Sequence, residues 1–179
     1  MNEYAVVTGP QSVRVERILP GPIERVWAYL TESDKRGEWL ARGEMEPRVG
    51  GKVELRFRHA ELSPVPGPVP ERYKAVEHGH VSVGRVTVYE PPNRLGITWG
   101  NRKVDPSEVI FELSAHGEDV KLVLVHRKLP NRQEMINVSG GWHSHLRVLA
   151  DRLHGRTPRN FWVLHAEIDG VYERRFGAE

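Results

Sequence analysis

Cysteine is missing from this chain altogether. Its absence excludes disulfides, thiolate metal sites and cysteine nucleophiles at once. No apolar run approaches the ~20 residues that cross a bilayer, and the N-terminus has no signal-peptide core, so a cytoplasmic protein without a membrane span is expected. An excess of one charge is lacking too: 26 Lys and Arg stand against 24 Asp and Glu, a formal net charge of +2. The two signs alternate along the chain, so no phosphate-tracking stripe forms and no nucleic-acid partner is indicated. The G-x-S-x-G elbow of hydrolases is absent, and no glycine-rich phosphate loop follows a strand. What is present is an ordinary globular composition, 39% hydrophobic and 28% charged. At 179 residues the chain suits one domain, 1–179. A domain of that size buries roughly 70% of its unfolded surface.

The organising stretch is 139–155. Trp142, Leu146, Leu149 and Leu153 fall at i, i+4, i+7 and i+11, an apolar helical stripe, with Ser144, Arg147 and Asp151 on a side read as solvated. Gly155, followed by Thr157-Pro158, stops the helix. Asn131 with Glu134 three residues on resembles a capping box at its start. Gly140-Gly141 would weaken the helix unless backbone must approach the sheet closely there, and they suggest a kink.

Upstream, residues 1–11 read as a lead-in and 12–19 as a first strand. Pro22 opens a short amphipathic helix carrying Ile23, Val26, Trp27 and Leu30, and Ser33 is placed to cap a second over 34–40. The period then changes to two. Strands are expected at 44–47, 52–58, 81–90, 94–100, 107–115 and 119–128. In the last of these the alternation that buries Leu122 and Leu124 also points His126 inward. The proline-rich run 63–70 cannot join a central sheet; it reads as a stiffened surface loop, the alternative being a polyproline ligand. Phe161, Leu164, Ile168, Val171 and Tyr172 suggest a terminal helix at about 160–176 lying on the body. Strands joined by short turns, with helices gathered to one side, make an α+β domain.

Several motifs, in order, resemble one family: Pro22-Ile-Glu-Arg-Val-Trp27, Glu38-Trp39-Leu40, Pro47-Arg-Val-Gly-Gly51, Gly84-Arg-Val86, Glu90-Pro-Pro-Asn-Arg-Leu95, Thr98-Trp99, His126-Arg-Lys-Leu-Pro130 and Gly141-Trp142. The resemblance is to bacterial proteins related to the activator of the heat-shock protein 90 ATPase, within the START/Bet v 1-like (SRPBCC) superfamily, and it covers a core at about 13–155. It implies a helix-grip fold: a seven-stranded curved antiparallel sheet gripping a long C-terminal helix, two short helices after the first strand, and a cavity between sheet and helix. Superfamily members bind lipids, sterols or polyketides; some are cyclases or hydrolases, and some bind chaperones. Fold alone does not choose among these.

The cavity is the leading site, with Trp39, Phe57, Trp99, Phe111, Leu124, Trp142 and Leu149 expected to converge around His126 and His145. An apolar pocket with sparse polar anchors suits a small apolar ligand. The bland reading is that the same residues simply pack as core. His126 and His145 are candidates for an acid–base pair, but no carboxylate or nucleophile accompanies them, and satisfaction by a backbone carbonyl or a tryptophan N–H is preferred. No catalytic residue is assigned. Metal is not expected: His143 and His145 diverge on a helix, and His78 with His80 lacks further ligands. No cofactor is implied. The function expected is binding of a small apolar molecule. The alternatives are a chaperone-interacting module, although the lead-in is too short for the namesake's second domain, and a cyclase or hydrolase on the same scaffold.

Overall fold

The computed structural model describes residues 2–177. Seven strands make one curved antiparallel sheet: β1 (Val6–Gly9), β2 (Ser12–Pro20), β3 (Lys52–Phe57), β4 (His80–Glu90), β5 (Arg94–Trp99), β6 (Ser107–His116) and β7 (Asp119–Arg127). Across the sheet they run β1-β2-β7-β6-β5-β4-β3. Four α-helices accompany them, α1 (Ile23–Thr31), α2 (Ser33–Arg36), α3 (Arg132–Leu153) and α4 (Phe161–Gly177), with two 3₁₀ turns at His59–Glu61 and Glu71–Val76. This is the helix-grip architecture.

Register decides which side chains meet. β6 and β7 pair Val109 with His126, Phe111 with Leu124 and Leu113 with Leu122, while β2 sets Val13 opposite His126 and Val15 opposite Leu124. Directly opposed residues share a face, so these positions form one continuous apolar surface, extended by Leu95 and Ile97 of β5. α3 lies on it. Trp142 meets Phe111 edge-on at 5.7 Å and Trp99 at 4.7 Å between ring centroids, and Leu146, Leu149 and Leu153 are buried. Each such side chain contributes roughly 1.5–3 kcal/mol by leaving water.

Both ends of α3 are closed as the sequence suggests. The Asn131 side chain accepts from the Glu134 N–H at 2.9 Å. Gly155 takes φ +70°, letting the Arg156 N–H reach back to the Asp151 carbonyl at 2.8 Å. The box at the start is half made, because the Glu134 carboxylate accepts from Asn137 instead of from the cap.

Three expectations need correction. Residues 6–9 of the supposed lead-in form β1, pairing with β2 through a tight hairpin. Residues 44–47 are not a strand: only the isolated bridges Arg42–Arg56 and Met45–Val53 touch β3, because the Gly43 backbone, at φ +130°, bends the chain there. The second short helix stops at Arg36, and Ser33 does not cap it; its hydroxyl accepts from the Gly43 N–H at 2.9 Å.

The side of α3 read as solvated is also largely covered. α4 folds back antiparallel along it, so that Ser144 and His143 are fully buried and only Arg147 stays exposed. The Tyr172 hydroxyl of α4 accepts from the Ala5 N–H at 2.7 Å and lies 3.0 Å from His143 Nδ1, tying α4 to both α3 and the N-terminal segment.

The two glycines of α3 turn out to have opposite roles. α3 runs through both as one helix; the close approach at Gly140 is to α4, where a Cβ would overlap Asp169 Oδ1. At Gly141 a Cβ would meet nothing. Gly140→Ala is expected to cost about 1–3 kcal/mol by overpacking. Gly141→Ala is expected to gain about 0.5–1 kcal/mol by stiffening the unfolded chain and favouring helix. Urea denaturation of the two variants checks this; equal effects at the two positions would refute it.

Candidate functional site

Between β3–β5 and the N-terminal half of α3 the two layers separate and leave a pocket of about 300 Å³. Phe57 ends β3 and stacks on its strand partner His80 at 4.6 Å. Trp99 ends β5 and stands edge-on to Phe57 at 5.9 Å. From α3 come Trp142 and, on a stripe adjoining the one it leads, Glu134, Val138, Gly141 and His145. The first 3₁₀ turn supplies His59, whose ring lies 5.4 Å from that of His145 and 6.0 Å from that of His80. Asn101 and Asn137 complete the polar part of the lining.

Of the nine residues expected to converge, Phe57, Trp99, Trp142 and His145 line this pocket. Trp39, Phe111, Leu124, His126 and Leu149 do not. They fill the deeper part of the lap, each nearly or wholly without exposure. The Trp39 indole donates to the Tyr29 carbonyl at 2.7 Å and its ring meets Phe111 edge-on at 6.5 Å. The grip is therefore solid over its middle and open at one end. His59, His80, Asn101, Glu134, Asn137, Val138 and Gly141 were not among the expected lining. For the α3 members a signal existed: 134, 138, 141 and 145 recur at i, i+4, i+7 and i+11, a second stripe adjoining the first.

The histidines are held neutral by burial. His126 accepts from the Trp142 N–H at Nδ1 (3.0 Å) and faces the Ser107 hydroxyl with Nε2 (2.9 Å); burial pushes it down to about 3. His145 is tied through Nδ1 to the Trp39 carbonyl at 2.8 Å, and desolvation lowers it to about 3. These two do not touch each other through a hydrogen bond; each is satisfied by its own neighbour. His59 is driven to about 2 by desolvation first and by the neighbouring His145 and His80 second. Burial also lowers His80. Among the described residues no group of three or more His, Asp or Glu has a metal-binding arrangement.

A second polar cluster lies between α3, α4 and the second 3₁₀ turn. Ser144 Oγ sits 3.0 Å from His165 Nδ1, and His165 Nε2 faces the Tyr73 hydroxyl at 2.9 Å and Asp169 Oδ2 at 3.4 Å. The residue types are those of a Ser-His-Asp triad, but Ser144 has no exposure and its hydroxyl reaches the Gly140 carbonyl at 2.8 Å. A nucleophile must reach its substrate, and this one is sealed between two helices. The cluster fastens α4 to α3.

The fold defines a helix-grip protein, and the sequence places it more narrowly. Residues 20–154 match the family described as activator of Hsp90 ATPase homolog 1-like protein, and the chain belongs to that family. A solution structure of a Bordetella parapertussis protein is 45% identical, covering 97% of this chain and 91% of that one, with a TM-score of 0.81. CalU16 from Micromonospora echinospora shares the fold at 20% identity (93% of this chain, 88% of that one, TM-score 0.67). DynU16, from the dynemicin biosynthetic locus, shares it at 21% identity (85% of this chain, 51% of that one, TM-score 0.63). Comparison with curated proteins gives no match. No described helix is long and apolar enough to cross a membrane.

Proposed function

We propose that this protein binds a small, uncharged, mainly apolar ring compound in the pocket between β3–β5 and α3, as a carrier or sensor. One observation carries the reading: the open end of the grip is walled by Phe57, Trp99 and Trp142, and the one acidic side chain in its lining is Glu134, set beside the neutral amides of Asn101 and Asn137. Ligand pockets span roughly 300–1,000 Å³, so a volume of about 300 Å³ belongs at the small end. It suits one or two fused rings and is too small for a sterol. Gly141 contributes to this space by lacking a side chain, since a Cβ there meets no atom within 4 Å.

Titration with naphthalene, palmitate and cholesterol tests the proposal, read from the indole N–H resonances. Naphthalene is expected to shift Trp99 and Trp142 with a dissociation constant on the order of 100 µM. Trp27, which packs on Tyr89 away from the pocket, should stay unmoved. Cholesterol should produce no shift. Gly141→Leu fills the space and is expected to weaken naphthalene at least tenfold without loss of stability. If none of the three compounds moves Trp99 or Trp142, the pocket is not a binding site, and a surface role such as chaperone contact takes its place.

A further inference from the structure

The two innermost histidines of the pocket have different tautomers, fixed by what lies behind them. His145 Nδ1 faces the Trp39 carbonyl, which only accepts, so Nδ1 carries the proton and Nε2 is a bare lone pair. Nε2 has no protein partner among the described residues and is not one of the sealed, unpartnered atoms, so it opens toward the pocket that His145 lines. His59 is the reverse case. Its Nδ1 is sealed without a partner, its ring packed against Phe161 at 4.7 Å and Trp162 at 4.8 Å. A buried N–H without an acceptor is costlier and rarer than a bare acceptor, so the single proton of neutral His59 goes to Nε2. His59 is 91% buried by its 9% exposure and also lines the pocket. The pocket floor therefore presents one donor and one acceptor from imidazoles whose rings are 5.4 Å apart.

This geometry points to a ligand that carries a hydroxyl on its aromatic ring, inserted between the two histidines so that it accepts from His59 Nε2–H and donates to His145 Nε2. The inference rests on the pocket reading above and narrows it to neutral phenols and naphthols. A hydroxyl is the smallest group that satisfies both partners at once, with hydrogen bonds of about 2.8 Å to each. The same protein already uses this arrangement: the Tyr172 hydroxyl accepts from the Ala5 N–H and lies within hydrogen-bond distance of His143 Nδ1. The ring of the ligand would then lie among Phe57, Trp99 and Trp142.

The test compares naphthalene, 2-methoxynaphthalene and 2-naphthol, which offer no polar group, an acceptor alone, and an acceptor plus donor. 2-Naphthol is expected to bind at least tenfold tighter than naphthalene, with 2-methoxynaphthalene between them. His59→Phe keeps an aromatic ring and should erase the advantage of the methoxy compound over naphthalene while naphthalene still binds. A second measurement needs no ligand: long-range ¹H–¹⁵N correlation spectra should show His59 protonated at Nε2 and His145 at Nδ1. If naphthalene binds but 2-naphthol gains less than twofold, or if the two rings share one tautomer, this inference is overturned and the pocket reading stands. If neither naphthalene nor 2-naphthol binds, this inference falls, and the pocket reading falls with it when palmitate and cholesterol fail as well.

Discussion

Taking the protein from pH 7.5 to pH 5 should unfold it. Five buried histidines, His59, His126, His143, His145 and His165, are held between about 2 and about 4, against 6.5 when solvated. Desolvation is the leading cause in every case. A depressed value means that the unfolded chain takes the proton first. The stability these groups contribute is complete above pH 6.5 and falls as the pH drops toward the folded values. At pH 5 each has lost about 2 kcal/mol, and five together remove on the order of 10 kcal/mol, as much as a typical domain possesses. Asp169 works the other way, since burial raises it and its neutral form suits the fold, but it is one group against five. Near-UV circular dichroism followed across pH, with urea melts at pH 7.5, 6 and 5, measures the effect. Unfolding near pH 5.5 should take up four to five protons, by the same linkage; a midpoint below pH 4 would show that the rings are not sealed as described.

Replacing Arg36 is expected to have the largest effect of any single substitution. Arg36 is 2% exposed and is in direct contact with no carboxylate among the described residues, Glu44 acting on it only from longer range. It donates instead to the carbonyls of Leu30 (3.4 Å), Thr31 (3.1 Å), Ala41 (3.1 Å) and Gly43. Two of these carbonyls end α1, where the helix dipole favours a cation. Burial lowers Arg36 to about 10, which leaves it charged at neutral pH. Arg36→Ala strips partners from four carbonyls and empties a buried space, an expected cost of about 3–5 kcal/mol in urea denaturation. Arg36→Lys should recover only part, because an ammonium cannot fork to both ends of the loop. A loss below 1 kcal/mol for Arg36→Ala would mean that this loop is held by something else. The loop also carries Trp39, whose carbonyl orients His145, so on the reading proposed above the substitution should weaken 2-naphthol binding as well.

Arg36 also shows why some of the fold was legible in the sequence and some was not. A charged residue in a polar stretch gives no sign that four carbonyls will close around it; that depends on the path of residues 37–43, which follows no period. The Trp142 stripe, the Asn131 cap and the Gly155 stop are local patterns and could be read directly. Ser144 falls on the wet side of α3 taken as a lone helix, and its burial comes from α4, a contact between segments more than 20 residues apart. β1 escaped for a similar reason: Val6 and Val7 are partly exposed on an edge strand, without the alternation that a buried face imposes. In the site, aromatic residues on strand ends were recognisable by their alternation. The pocket's location was not, because it depends on where side-chain volume falls short, and the sequence shows which residues are large before it shows where they leave a gap.

With α4 packed behind it, α3 is clamped from both sides. A helix held this way does not swing outward. On the reading proposed above, a guest would enter at the open end of the grip, past lining residues such as Asn101 and Asn137, by small rotations of side chains on the nanosecond scale. Uptake and release then need no opening of the body, and residence time depends on how well the guest fits.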